Sequence, residues 1–338
     1  MKKGALAAPE GYSMIRLPAD SPSTAALESR LALSVIVPCR DEEANLPELV
    51  QRLTAACAAV TKDSYEILLI DDGSRDGTWK EMTRLAASDP FIIAVSLSRN
   101  FGHQAAVSAG LALCEGARVL LIDADLQDPP EALIEMNALM ERENADVVYG
   151  RRTIRRGETW SKRASAAFFY RLLRHLTEIE IPVDTGDFRL ISRRAVVALG
   201  SMPERSRFLR GMASWIGLKQ VPFAYERAPR AAGQSHYSWR KMLGFARDAI
   251  TSFSIVPLRL ASYCGLASGM LALGLLVYAL RAWLLGETVP GWTSLMVIVL
   301  FLGCVQLLCL GLFGEYLGRL YLESKHRPLF IIQDIVRR

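Results

Sequence analysis

Two uninterrupted apolar runs near the C-terminal end constrain this chain more than any other feature. Residues from about Leu260 to Leu280 include no charged side chain, and neither do those from about Trp292 to Phe313. Each run reaches the roughly 20 apolar residues needed to cross a hydrocarbon core about 30 Å thick. A buried hairpin in a large soluble protein is the competing reading, but core helices seldom stay free of charge for so long. The linker between the runs, from Gly286 to Gly291, holds Glu287 and no Lys or Arg, whereas Arg259, Arg319, Lys325, Arg327, Arg337 and Arg338 lie outside the pair. By the positive-inside rule, both termini and the N-terminal domain are expected on the cytoplasmic side of an inner (plasma) membrane, with Trp283 and Trp292 at the opposite interface.

The remainder of the 338 residues suffices for one soluble domain. Lys2 and Lys3 resemble the start of a secretory signal, but the apolar stretch after them ends at Pro9 and Glu10. Residues 1–30 read as a disordered tail. Cys39, Cys57, Cys114, Cys264, Cys304 and Cys309 form no C-x-x-C pair, which suits a reducing compartment and argues against a zinc site or a disulfide framework. The formal net charge of +5 comes from local basic clusters, which suit phosphates and an anionic membrane better than nucleic acid.

Within the soluble part, β-branched runs alternate with helical patterns, the signature of an α/β sheet built from parallel crossovers. Strands are expected at Leu33 to Pro38, Tyr65 to Ile70, Ile92 to Ser96, Arg118 to Ile122 and Val147 to Tyr149. Capping boxes are expected at Asn45 with Glu48, Thr78 with Glu81, and Asp128 with Glu131, with Pro129 opening its helix.

Ligands of open α/β sheets bind beyond the carboxyl ends of the strands, and here four strand ends carry polar residues. Arg40 to Glu43 follow the first, Asp71 to Ser74 the second, Ser98 to Gly102 the third and Asp123 to Asp128 the fourth. Asp71 and Asp76 have an ordinary explanation as turn residues. All four sets together need more, because parallel strands converge these acids on one edge, and like charges crowded there call for a cation. Asp123-x-Asp125 is the sharpest case, since hard oxygen ligands at a turn suit Mg²⁺ or Mn²⁺ carrying substrate phosphates.

Three segments, Val35-Ile-Val-Pro-Cys-Arg-Asp-Glu-Glu-Ala-Asn45, Ile70-Asp-Asp-Gly-Ser74 and Ile122-Asp-Ala-Asp-Leu-Gln-Asp-Pro-Pro130, resemble the family-2 glycosyltransferases of the GT-A fold. The branch that the chain is most similar to is the polyprenyl-phosphate glycosyltransferases, over about residues 31 to 335. The resemblance implies a Rossmann-like, mostly parallel catalytic domain (31–238), an amphipathic juxtamembrane segment (239–257), a two-helix transmembrane hairpin (258–315) and a cytoplasmic C-terminal tail (316–338). It implies Pro38, Arg40, Glu42, Asp72, Asp123 and Ala124 around the nucleotide sugar. It implies Asp123, Asp125 and Gln127 at the metal, and Asp187 with Asp125 in the catalytic role. Family members often carry Tyr-Asn where this chain has Arg40-Asp41.

The acceptor side rests on two basic segments. Gly150 to Gly157, followed by Arg163, reads as a solvated loop by itself, yet it precedes an apolar stretch from Ala164 to Leu173, a combination that suits a phosphate on a lipid tail. Arg152 and Arg163 match family positions expected to contact phosphates, and Arg227, Arg230 and Ser235 lie in a run that resembles the acceptor-side loop. The spacing from Trp239 to Ile255 predicts an amphipathic helix, on the membrane surface in the favoured reading and packed on the domain in the alternative. The resemblance thus implies inverting transfer from a nucleotide diphosphate sugar, UDP-glucose ahead of GDP-mannose, to polyprenyl (undecaprenyl) phosphate, with a tetramer as the implied assembly. A processive polysaccharide synthase would need more spans and a Gln-x-x-Arg-Trp motif. A non-catalytic scaffold would have no use for Asp72, Asp123, Asp125 and Asp187. No G-x-G-x-x-G or P-loop is present.

Overall fold

The computed structural model describes residues 30–152, 185–205, 207–226, 254, 256–285 and 291–338. The N-terminal tail, Arg163, Arg227, Arg230, Ser235, nearly all of the juxtamembrane segment and the centre of the linker lie outside the described residues.

Four strand–helix units open the domain: β1 (Leu31–Cys39) and α1 (Leu46–Thr61), β2 (Tyr65–Asp71) and α2 (Thr78–Ser88), β3 (Ile92–Leu97) and α3 (His103–Leu113), β4 (Gly116–Leu121) and α4 (Ala132–Glu143). They are followed by β5 (Val147–Arg152), β6 (Thr185–Ser192), α5 (Arg193–Ser201), α6 (Leu209–Trp215) and β7 (Gln220–Tyr225). Two long helices, α7 (Val256–Leu284) and α8 (Trp292–Ser324), precede a last strand, β8 (Ile332–Val336). One eight-stranded sheet has the order β7-β5-β6-β4-β1-β2-β3-β8. β1 pairs in parallel with both β2 and β4, and β2 pairs in parallel with β3, whereas β6 and β8 run antiparallel to their neighbours.

The central strands are apolar without alternation because both faces are covered. Val35, Val37, Leu69 and Leu120 pack with α1 and α4 on one face. Ile36, Leu68, Ile70, Val95 and Leu121 pack with α3, α5 and α6 on the other. Since β1 lies between β2 and β4, the chain reverses its direction of travel across the sheet there, and the two strand ends part to leave a crevice.

None of the three expected capping boxes forms. Asn45 is already in helical backbone geometry and donates its side chain to Glu42 Oε2 at 2.6 Å. In α2 the residue two before Thr78 does the work: Asp76 Oδ1 accepts from the Thr78 amide at 3.0 Å. Asp128 is fully buried and accepts from the Tyr225 hydroxyl at 2.5 Å, so α4 begins later, at Ala132, and Pro129 precedes it. A capping pattern needs an extended residue with an uncommitted side chain, and tertiary partners removed that condition.

α7 and α8 carry candidate membrane spans, Val256–Tyr278 with mean hydropathy 1.8 and Val297–Ser324 with 2.5, and neither is buried by protein. A core hairpin would be covered; these helices expose Leu266, Met270, Leu300, Leu307 and Leu308 by more than half. So extensive an exposed apolar surface marks a membrane or protein interaction face. The second helix outruns the expected end at Phe313 by several turns.

The segment expected as a C-terminal tail includes an edge strand of the sheet. Val95 pairs with Ile335 and Ser96 with Asp334, the Ser98 amide donates to the Ile331 carbonyl at 2.9 Å, and the Arg205 amide donates to Glu323 Oε1 at 2.8 Å near the end of α8. Deleting residues 331–338 uncovers the edge of β3 and removes the half-buried Ile332 and Val336. The expected cost is about 2–4 kcal/mol, read as a lower thermal midpoint together with stronger self-association of the truncated protein.

Candidate functional site: an acidic cleft at the switch point of the sheet

A cleft of about 590 Å³ opens where β1 and β4 part. Its walls include Pro38, Arg40, Glu42 and Asn45 after β1, Asp72 after β2, Asn100, Gly102 and His103 after β3, and Asp123, Ala124 and Asp125 after β4. Of the sequence-predicted donor-side residues, Pro38, Arg40, Glu42, Asp72, Asp123, Ala124 and Asp125 are brought together here. Gln127 is buried behind the turn and is not among the lining residues; its amide donates to Asp125 Oδ1 at 3.2 Å. The turn that carries Asp125 places Leu126 at φ 57°, a costly conformation for a branched side chain, which its packing on the core offsets.

The first wall is a loop tied to its neighbour. Asp41 sits at φ 56°, which Asp tolerates, and its carboxylate accepts from the Arg75 amide at 2.7 Å while its own amide donates to Ser74 Oγ at 3.0 Å. Glu43 accepts from the Gly77 amide at 2.9 Å. Arg40 reaches the Asp72 carbonyl at 3.5 Å and stays exposed. Asp71 behaves as the turn residue it resembles: it accepts from the Ser74 amide, and burial raises its pKa.

Asp72 lines the cleft and also anchors a neighbouring loop. Its buried carboxylate accepts from the Phe101 amide at 2.7 Å, the Gly102 amide at 3.0 and 3.2 Å, and Asn100 Nδ2 at 2.7 Å. Asp72 therefore shapes the loop after β3 as well as lining the cleft. Gly73 makes that contact possible: it adopts φ +66°, and a Cβ there would lie 2.7 Å from the Asn100 nitrogen. Gly73→Ala is expected to cost about 1–3 kcal/mol through strain and displacement of the loop. Calorimetric titration with nucleotide checks it, with weaker binding as the expected result.

The opposite wall comes from antiparallel pairing. β4 and β6 pair Leu121 with Arg189, and continuing that register sets Asp187 against Asp123. Asp187 Oδ1 accepts from Arg210 Nε at 2.8 Å, and Oδ2 meets His103 Nε2 and Gln104 Nε2, each at 3.1 Å. Burial works to raise the Asp187 pKa, but Arg210, the His103 hydrogen bond and Arg189 outweigh it and hold the carboxyl well below the usual range. Asp123 goes the other way. Burial pushes it up to about 6; His103 opposes the shift, and Asp187, Asp128 and Asp125 add to it. Its side chain keeps 32% of its surface open at the cleft wall, although protein surrounds it on most sides.

His103, Gln104, Arg189 and Arg210 were not legible as site residues. His103 and Gln104 directly follow the polar loop after the third strand, which is the one signal available for them. Arg152 ends β5, and its side chain lies outside the described residues.

An oxygen-only pair at Asp123 and Asp125, in a place where carboxylates already repel one another, suits a hard divalent cation. Among the described residues, no group of three or more His, Cys, Asp or Glu side chains is gathered to hold a metal unaided. The pair therefore fits a cation whose remaining ligands are water and substrate phosphate.

An open, mostly parallel sheet with an acidic cleft at its switch point defines a doubly wound α/β protein built to take a ligand between β1 and β4. The chain belongs to glycosyl transferase family 2, whose profile matches residues 34–200. It is 44% identical over 306 residues to an uncharacterized glycosyltransferase of Synechocystis sp. (strain ATCC 27184 / PCC 6803 / Kazusa), covering 90% of this chain and 96% of that protein. It is 37% identical over 310 residues to the bactoprenol glucosyl transferase of Shigella phage SfV, covering 90% and 99%. Among solved structures, the glucosyl-3-phosphoglycerate synthase from Mycobacterium tuberculosis, in complex with Mn²⁺, UDP-glucose and phosphoglyceric acid, is similar at TM-score 0.44 and 19% identity, covering 67% and 79%.

Proposed function

We propose that the chain transfers glucose from UDP-glucose to a polyprenyl phosphate, with the catalytic domain on the cytoplasmic face of the membrane that α7 and α8 span. The observation that carries this reading is the convergence of Asp123 and Asp125 with the Pro38–Glu42 wall at the switch point, in a chain that also exposes two apolar helices. The relative named bactoprenol glucosyl transferase, matched over almost its whole length, supports the sugar and the acceptor.

In this reading Pro38, Arg40 and Glu42 face the base and ribose, and Asp72 sets the floor between them and the loop after β3. Asp123 and Asp125 would hold a Mg²⁺ or Mn²⁺ ion. When bound, that ion supplies positive charge to the departing diphosphate. An oxygen of the lipid phosphate forms the new bond to the anomeric carbon as the bond to UDP breaks, and UDP leaves with the electron pair, so configuration inverts. A phosphate monoester has its second pKa near 6 and needs no base to become a nucleophile at neutral pH. The depressed pKa of Asp187 agrees, because a carboxylate held so far below neutrality is a poor proton acceptor. Arg152, Arg163, Arg227, Arg230 and Ser235 are assigned to the lipid phosphate.

The test is to supply the purified full-length chain with polyprenyl phosphate and a panel of UDP- and GDP-sugars, and to weigh the lipid product. A mass gain of one hexose from UDP-glucose is expected. Donor hydrolysis with no lipid product would sink the acceptor assignment, and transfer only from GDP-mannose would sink the donor.

A further inference from the structure

Gly150 lies inside β5, where a glycine weakens a strand unless something needs the space. Two rings occupy it: a Cβ there would lie 2.7 Å from Tyr225 Cε1 and 2.8 Å from Phe188 Cδ1. Tyr225 closes β7, and its ring meets Phe188 edge-on, with the centroids 5.4 Å apart. The hydroxyl at the far end of that ring donates to Asp128 Oδ1 at 2.5 Å. β5 and β6 stand between β7 and β4 in the sheet. The Tyr225 ring, lying over Gly150 of one and against Phe188 of the other, therefore joins the end of β7 to the turn that follows β4.

That turn is the one that presents Asp123 and Asp125 to the cleft. Asp128 follows Asp125 by three residues and is fully buried. A carboxyl group taken out of water is costly unless it is hydrogen-bonded. Where packing alone is required, an apolar pair of the same shape would serve equally well. The local bonds of the turn fix its shape: the Gln127 amide donates to Asp125 Oδ1, and the Ala132 and Leu133 amides donate to the Pro129 and Pro130 carbonyls, each at 3.1 Å. These bonds reach no other element. The bond from Tyr225 does, and it fixes the turn against the sheet.

We infer that Tyr225 is a positioning residue for the metal-binding turn: its hydroxyl, reaching Asp128 through the space left at Gly150, sets where Asp123 and Asp125 stand in the cleft. The inference rests on the metal assignment proposed above and deepens it, because it adds a residue of β7 that is not among those lining the cleft. Two carboxylates from one turn bind a divalent ion well only if they are held to within about 0.5 Å of the productive geometry, and that precision comes from the groups behind them.

Full-length protein in detergent micelles, titrated calorimetrically with UDP over a series of Mg²⁺ concentrations and with uridine as the control, tests it. Tyr225→Phe keeps the ring over Gly150 and removes the hydroxyl. It is expected to raise the Mg²⁺ concentration that half-enhances UDP binding about 10-fold, the upper end for one hydrogen bond of ordinary strength. Uridine binding, and UDP binding without the metal, should stay as in the wild type, and excess Mg²⁺ should restore most of the UDP affinity. Gly150→Ala, which keeps the hydroxyl and crowds the ring from the other side, should shift the metal dependence in the same direction. An unchanged metal dependence in Tyr225→Phe, with only a lower thermal midpoint, would reduce the bond to a structural tie and overturn the inference. Equal weakening of uridine would report a general distortion of the cleft and overturn it as well. Wild-type UDP binding indifferent to Mg²⁺ sinks the metal assignment and the inference together, whereas the transferase reading is decided separately, by whether the wild type forms glucosyl lipid.

Discussion

Asp125→Ala is expected to lower kcat/KM about 10²–10³-fold while leaving the thermal midpoint nearly unchanged, the scale of losing one preorganised charge-stabilising group at a reacting centre. Asp125 projects from a turn after β4 whose course is set by other contacts: Leu126 packs on the core, and the Tyr225 hydroxyl holds Asp128 at 2.5 Å. Among the described residues, its side chain accepts a local hydrogen bond from the Gln127 amide, which the substitution removes. A surface turn bond of that kind contributes about 1 kcal/mol. The catalytic loss should therefore far exceed the structural one. Titrating Mg²⁺ or Mn²⁺ against the rate separates the possibilities further. Asp125→Asn, which keeps the size and removes the charge, should need a much higher metal concentration to reach its own lower maximum. Wild-type turnover in Asp125→Ala would refute the metal assignment.

The second large effect is on stability. Asp187→Ala strands Arg189, which is buried at 4% exposure, and removes one partner of Arg210, so about 3–5 kcal/mol of destabilisation is expected. Asp187→Asn keeps the shape and acceptor oxygen and should cost less. The pH dependence identifies the cause. The Asp187 carboxyl is held below its ordinary value by Arg210, His103 and Arg189 against the opposing effect of burial. Its contribution is therefore complete above the unfolded pKa of about 4 and fades as pH falls below that. Thermal midpoints of wild type and Asp187→Asn should differ most near neutrality and draw together in acid. A gap independent of pH would mean that the carboxylate charge is not what holds the cluster.

Both effects bear on how much could be read before the fold was known. The ends of β1 to β4 were legible because unbroken β-branched runs stop where Arg40, Asp71, Ser98 and Asp123 begin, and the sheet carries those ends to one edge. β6 and β8 were not. β6 includes Asp187 and Arg189, buried charges that interrupt any apolar pattern and are tolerated because folding brings opposite charges to them, Arg210 to Asp187 and Asp187 to Arg189. β8 is five residues, Ile-Gln-Asp-Ile-Val, and becomes a strand because β3 offers an unpaired edge. The capping boxes misled for a related reason: Asn45 and Asp128 have the right spacing, but Glu42 and Tyr225 engage them first.

What the amino-acid sequence determined by itself is whatever depends on neighbours along the chain. The two charge-free runs make the central parts of α7 and α8 apolar on every side, and Asp123-x-Asp125 places two carboxylates at one turn wherever that turn lies. Tertiary structure alone decided what stands opposite them. Antiparallel register between β4 and β6 set Asp187 across from Asp123, helix α3 brought His103 between the two, and α6 supplied Arg210. It also returned the chain from the end of α8 to β3, so the end of that apolar helix is tied to the domain that carries the cleft. The reason is one of range: spacing and composition fix local geometry, whereas the charge on a buried side chain depends on groups that only folding brings near.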